Sequence, residues 1–182
     1  MWSDDNLIKT LEKGEVVVMP TDTVYGIIGS AHNRNTVERI YKIRNRTSGK
    51  PCPILIGDIN ELKKFSIILT EIQKDEIEKC REPVSIILDC PLENFSYLHR
   101  GTKTLAFRLP TPEPLRKLLL KTGPLVAPSA NIEGLPPAKN VAEAQKYFGD
   151  KVDLYIDGGT IAGKASKVIR LHPDGSVTVL RQ

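Results

Sequence analysis

Aromatic residues are scarce in this sequence, 5% of 182 residues with one tryptophan, so stacking platforms for single-stranded nucleic acid are scarce too. There are only three cysteines. Cys52, Cys80 and Cys90 are too few for a disulfide framework and too far apart for a zinc ribbon or a redox pair, so reduced thiols are expected. His32, His99 and His172 share no metal-ligand spacing with one another or with a cysteine, and no metal site built from side chains is expected. No apolar run approaches the roughly 18 residues of a membrane span. The first residues, Met1 to Asp5, are acidic and lack the basic flank and apolar centre of a secretion signal, so a cytoplasmic protein without membrane contact is expected.

What is present describes a globular chain, with 40% hydrophobic and 26% charged residues. Its length suits one domain over residues 1–182, with no repeat, low-complexity tract or linker, that buries roughly 70% of the surface exposed by the unfolded chain. Lysine and arginine number 26 against 22 acids, giving a net charge of +4. The distribution of charge matters more than the total. Lys42, Arg44, Arg46 and Lys50 stand together with no acid among them, whereas residues 71–82 mix both signs like a solvated helix. The first segment is suited to an anion.

The periodicity predicts a short amphipathic helix carrying Leu7, Ile8 and Leu11 that stops at Gly14, then a β-branched strand over 15–19 bounded by Pro20. Asn35 with Glu38 predicts a capping box, followed by a helix face of Val37, Ile40 and Tyr41. The basic segment then starts on the last turn of that helix. Strands are predicted at 53–56, 84–88, 104–109, 125–127 and 153–157, and helices at 58–65 and 70–79. Thr111 with Pro112 at the first helical position opens a further helix that ends at Gly123, and Asn140 with Glu143 caps the next. A closing hairpin pairs 167–171 with 177–180. Strands and helices interleave without strict alternation, which predicts one α/β domain with a mixed sheet.

Single motifs are weak. Gly158 to Lys164 nearly spells a P-loop, but residue 165 is alanine where a hydroxyl should reach magnesium, and Val168 to Leu171 reads as strand rather than helix. A glycine-rich connection is the better description. Ser129 lacks the turn of a nucleophilic serine; taken alone, Ser129 and Asn131 read as turn-formers.

The order of the motifs is more specific. Pro20-Thr21-Asp22-Thr23-Val24-Tyr25-Gly26, Lys42-Ile43-Arg44, Lys50 before Pro53 to Ile56, Leu105 to Pro110, Ser129-Ala130-Asn131 with Gly134 to Pro137, Ser166, and Leu180-Arg181 together resemble the YrdC-like threonylcarbamoyl-AMP synthase family, in its short bacterial form without a C-terminal extension. The resemblance implies a twisted, open mixed sheet flanked by helices, with a basic concave face. It implies a nucleotidyltransferase joining L-threonine, bicarbonate and ATP into threonylcarbamoyl-AMP and pyrophosphate. The product goes to a tRNA threonylcarbamoyltransferase machinery for t6A modification of tRNA.

By that resemblance Lys42 and Arg44 act as the catalytic cations. Lys42, Arg44 and Lys50 hold the triphosphate, with Arg46 as the alternative to Lys50. Ser129, Asn131 and Arg181 complete the ATP site, bordered by Thr104 and Lys139, and Thr21, Arg108 and Ser166 hold threonine. Mg2+ accompanies ATP, coordinated by phosphates and water. Such a transfer needs converging cations and alignment, with little need for a covalent nucleophile. The alternative from another class is a non-catalytic protein binding double-stranded RNA or tRNA through the same basic face, since phosphate-binding surfaces serve ATP and RNA alike. A carbamoyltransferase in hydrogenase maturation would call for further domains. If the P-loop is correctly rejected, Ala165→Ser leaves the affinity for a non-hydrolysable ATP analogue unchanged in calorimetric titration. A gain in affinity would make residues 158–164 the phosphate loop.

Overall fold

The computed structural model describes residues 1–80 and 82–182. Asp4 accepts a hydrogen bond from the Leu7 amide and so opens helix α1, Asp5–Glu12. Strands β1, Val17–Pro20, and β2, Tyr25–Ser30, form an antiparallel hairpin. Helix α2, Arg34–Ile43, follows, and its N-cap is Asn33, whose side chain accepts from the Thr36 amide. The cap therefore lies two residues before the Asn35 and Glu38 box read from the sequence. Asn33 has the extended backbone a cap requires, and its Oδ1 takes one of the amides that the first turn leaves unpaired.

Beyond α2 come β3, Ile54–Leu55, a 3-10 helix over Ile59–Phe65 that was expected as α-helix, and α3, Glu71–Glu78, with a complete Thr70–Gln73 capping box. Next are β4, Val84–Asp89, a short helix α4, Ser96–His99, that periodicity did not show, and β5, Thr104–Arg108. Helix α5, Glu113–Thr122, starts with Pro112 in the cap position rather than as its first residue, and leaves at Gly123, whose φ of 80° favours glycine. Strand β6, Leu125–Val126, helix α6, Val141–Phe148, and strands β7, Leu154–Tyr155, β8, Lys167–Leu171, and β9, Val177–Arg181, complete the chain.

All nine strands join one mixed sheet in the order β7-β1-β2-β6-β3-β5-β4-β8-β9. The family-like expectation of an open mixed sheet flanked by helices is what forms. The strand period of two divides the core in two. Val16, Val18, Ile27, Ile54, Phe107, Ile86 and Ile169 belong to a cluster that also holds Val37, Ile40 and Phe148 from α2 and α6. Val17, Met19, Ile28, Leu55 and Leu125 belong to a second cluster completed by α1 and α5.

That second layer is only half a layer. No residue of β5, β4, β8 or β9 is in the α1–α5 cluster. On these strands the positions alternating with the core, Thr104, Ala106 and Arg108, Ser85 and Ile87, and Val168, line a cavity instead. The site exists because α1 and α5 cover one half of their face and stop. Among the described residues, no helix is long and apolar enough to cross a membrane.

The cap assignment is testable by denaturant unfolding. Asn33→Ala should lower stability by about 1 kcal/mol, the usual cost of a lost side-chain cap, whereas Asn35→Ala, inside the helix, should change it far less.

Candidate active site

The cavity measures about 380 Å³ and is walled by four stretches of chain: residues 21–26, 44–53, 127–129 and 165–168, over a floor from β4 and β5. Among the described residues its lining contains four arginines, Arg44, Arg46, Arg108 and Arg181, and no carboxylate. Such a lining selects an anion.

Each guanidinium is held in its own way. Arg44 is the C-cap residue of α2 and only 2% exposed. Its Nε donates to the Asn131 carbonyl at 3.0 Å and its Nη2 to Asn131 Oδ1 at 3.0 Å. Ser129 Oγ donates to the same Oδ1 at 2.6 Å, and Asn131 Nδ2 is anchored on the carbonyls of Ile132 and Leu135. Nη1 of Arg44 is buried with no hydrogen-bond partner. An unpaired guanidinium N–H at a cavity wall is a donor waiting for a ligand oxygen. Burial pushes the Arg44 pKa below its ordinary value, with Arg46 adding to the effect.

Arg46 donates to the carbonyls of Lys50 and Pro51, both at 3.0 Å. Arg181, on β9, places Nε and Nη2 on the Ser166 carbonyl at 3.1 and 2.7 Å. Ser166 Oγ in turn shares a 2.8 Å hydrogen bond with Ser85 Oγ. Arg108 pairs with Asp22 at 3.0 Å. Thr21 Oγ1 donates to the Val24 carbonyl at 2.7 Å and lies 3.2 Å from Thr23 Oγ1, which fixes the turn after β1.

Of the residues singled out in the sequence, Thr21, Arg44, Thr104, Arg108, Ser129, Ser166 and Arg181 line this one cavity, and Asn131 stands directly behind Arg44. Lys42, Lys50 and Lys139 do not line it and are exposed. Lys42 belongs to the outer face of α2, since Ile40, Tyr41 and Ile43 take the buried one. Lys50 is drawn to Glu133 in a 2.7 Å ion pair, so Arg46 occupies the wall in its place. Lys139 carries its backbone toward Glu143 and Ile161, with its side chain in solvent.

Sequence reasoning did not single out Ser85, Thr102 or the Asp22 carboxylate. Ser85 was visible in principle as the polar residue alternating with buried Ile86. The P-loop resemblance dissolves: residues 158–166 are irregular and lead straight into β8. At Gly163 a Cβ would overlap the Thr23 carbonyl oxygen, so glycine serves a close backbone crossing here rather than a phosphate. Tyr25, fully buried, accepts from the Gly158 amide and donates to the Gly159 carbonyl, both at 2.8 Å.

The chain matches the family model for Sua5, YciO and YrdC proteins, described as "Telomere recombination", over residues 9–182. It belongs to that family. Threonylcarbamoyl-AMP synthase of Pyrococcus abyssi is 32% identical over 165 residues, covering 88% of this chain and 48% of that protein. The protein of the same name from Photobacterium profundum is 28% identical over 185 residues, 98% of this chain and 99% of the relative. Among solved structures, P. abyssi Sua5 complexed with L-threonine superposes with a TM-score of 0.86 at 28% identity, over 97% of this chain and 52% of that one. E. coli YciO gives 0.83 at 25% identity, over 97% and 87%. The chain thus spans about half the length of the P. abyssi proteins.

Glu133 ties the basic loop to the Ser129–Asn131 segment: it accepts from Lys50 Nζ at 2.7 Å and from the Thr47 amide and hydroxyl at 2.5 and 2.9 Å. Lys50 first, then Thr47, hold its carboxyl down from 4.5 to about 2. A lowered carboxylate pKa stabilises the tie above the ordinary pKa and loses that support as pH falls toward the folded value. Amide exchange at Thr47, corrected for the intrinsic rate, should therefore accelerate between pH 4.5 and about 2. In Glu133→Gln it should be fast throughout. Protection that ignores both pH and the substitution would rule the tie out.

Proposed function

We propose that this chain catalyses formation of threonylcarbamoyl-AMP and pyrophosphate from L-threonine, bicarbonate and ATP, for t6A modification of tRNA. The observation that carries this reading is the arginine-lined cavity with two kinds of end. One is an arginine set against hydroxyl and amide groups, Arg44 with Ser129 and Asn131. The other is a buried arginine beside hydroxyls, Arg108 with Ser85, Ser166 and Thr21. The first suits phosphates, to which a guanidinium offers paired donors. The second suits an amino acid, whose carboxylate takes Arg108 and whose hydroxyl meets the serine and threonine oxygens. The relatives' name, threonylcarbamoyl-AMP synthase, and the Sua5 structure complexed with L-threonine support threonine as a substrate.

The reaction first joins the threonine amine to bicarbonate, losing water, and leaves a carbamate oxygen as nucleophile. That oxygen forms a bond to the α-phosphorus of ATP while the bond to the pyrophosphate oxygen breaks. The protein's part is to align the two substrates and to stabilise charge spreading over phosphate oxygens. Arg44 Nη1 and the Arg46 guanidinium serve the phosphates, and Arg108 orients threonine. Ser166, braced by Ser85 and Arg181, closes the amino-acid end. Magnesium enters as part of the ATP substrate; its contribution to phosphate charge is the nucleotide's own, and the residues named act on the groups it leaves free.

Pyrophosphate release from ATP should depend jointly on threonine and bicarbonate. Arg44→Ala should lower turnover on the order of a hundredfold, the size expected for one lost charged donor, while Lys164→Ala, on the exposed crossing, should change it far less. Thermal stabilisation should rank threonine, then serine, then valine. Loss of a methyl costs about 1 kcal/mol, whereas hydroxyl partners left unpaired cost about 1–3 kcal/mol each. Equal or absent shifts for the three amino acids, alongside salt-dependent tRNA binding, would instead make the protein an RNA binder without this catalysis.

A further inference from the structure

Arg108 is 5% exposed, and the Arg108 guanidinium has one polar partner among the described residues, the Asp22 carboxylate, whose side chain is 2% exposed. The dependence runs both ways. Neither Asp22 oxygen accepts a hydrogen bond, and Arg108 Nε donates none, so the 3.0 Å contact is an ionic one without hydrogen-bond alignment. Asp22 does not line the cavity; Arg108 does. The carboxylate therefore stands behind the arginine and leaves its other side to the cavity.

The turn that carries Asp22 is fixed independently of Arg108. The Thr21 amide donates to the Val24 carbonyl at 3.1 Å, Thr21 Oγ1 donates to the same oxygen, and the Thr23 amide donates to Thr21 Oγ1 at 3.3 Å. Arg108, in contrast, is one of several cations crowded together, and the nearby Arg181 charge opposes its protonated form. Burial pushes Asp22 upward and Arg108 downward, each shift opposed by the partner's charge.

We propose that Asp22 is the positioning residue for Arg108: a carboxylate fixed by the Thr21 turn holds the guanidinium from behind, with its cavity edge presented to the α-carboxylate of the amino-acid substrate. This rests on the function proposed above. A bound amino acid then places the guanidinium between two carboxylates, one permanent and one exchangeable. The permanent partner covers the cost of burying the cation when the site is empty, and the exchangeable one finds its donors already oriented.

A purely structural ion pair would weaken the whole molecule when broken, whereas a positioning pair acts on one ligand. Asp22→Asn keeps the shape and removes the charge. Threonine affinity, by calorimetry, should fall on the order of tenfold or more through misplacement of its donor, while a non-hydrolysable ATP analogue alone should bind with unchanged affinity. Nitrogen NMR of the arginine side chains gives a readout that needs neither ligand nor variant. The Arg108 Nη signals should be separate in the wild type, because the ion pair of Nη2 with Asp22 slows rotation about Nε–Cζ, and should merge in Asp22→Asn.

Averaged Arg108 signals in the wild type would overturn the proposal even if the variant does not fold. So would parallel losses of affinity for both ligands in a destabilised variant. A wild type with separate signals that binds the ATP analogue but no amino acid would overturn the proposed function and its amino-acid end while upholding the lock itself.

Discussion

A guanidinium moved out of water must find its hydrogen bonds elsewhere, and four of them around one cavity must do so without losing the charge that makes the cavity useful. Three short irregular stretches supply the acceptors. Arg44 leans on an asparagine, Arg46 on the carbonyls of Lys50 and Pro51, and Arg181 on the carbonyl of Ser166. These acceptors are neutral, so they orient each cation without cancelling it. Of the four, Arg108 takes a carboxylate as its polar partner among the described residues. The cavity keeps a net positive field because three of four arginines are satisfied by dipoles rather than by charge.

The sheet makes room for this by an asymmetry in its helices. Where α1 and α5 lie, the alternating strand positions are Val17, Met19, Ile28 and Leu125. Farther along the same sheet the alternating positions become Thr104, Ala106, Arg108 and Ser85. The opposite face stays apolar throughout, with Leu105, Phe107, Ile86 and Ile169 in a single cluster with α2 and α6. A strand packed on the core by one face and facing a polar cavity with the other reads as alternation, which β5 carries from Thr104 to Arg108 and which β4 interrupts at Ile87.

That alternation explains how much of the molecule was legible beforehand. Elements set by local chemistry were readable: the helix after Thr70, the Asn140 cap, the exit at Gly123 and the hairpin of β8 and β9. Local rules also misled where two candidates competed, since Asn33 and Asn35 are both good caps and only the geometry at Gly14 and Thr36 selects the first. The site was readable as an ordered set of motifs, and most of its members converge. The order of motifs did not tell which cations reach the cavity wall. Lys42 and Lys50 lie beside Arg44 and Arg46 in sequence, but the helix phase turns Lys42 outward and Glu133, remote in sequence, draws Lys50 away. Ser85 with Ser166 and Asp22 with Arg108 are pairings across strands distant in the chain, and no spacing rule reveals them.

Arg181 reaches the Ser166 carbonyl from β9, while the opposite wall begins at Thr21. During synthesis the β1–β2 hairpin can form as it emerges, because its strands are neighbours in the chain, whereas the layer of α1 and α5 joins segments far apart in sequence. The basic cavity cannot close until the last strand has left the ribosome and docked beside β8. A nascent chain thus spends most of its elongation without an assembled cavity. The arginine cluster is therefore among the last features of these residues to assemble.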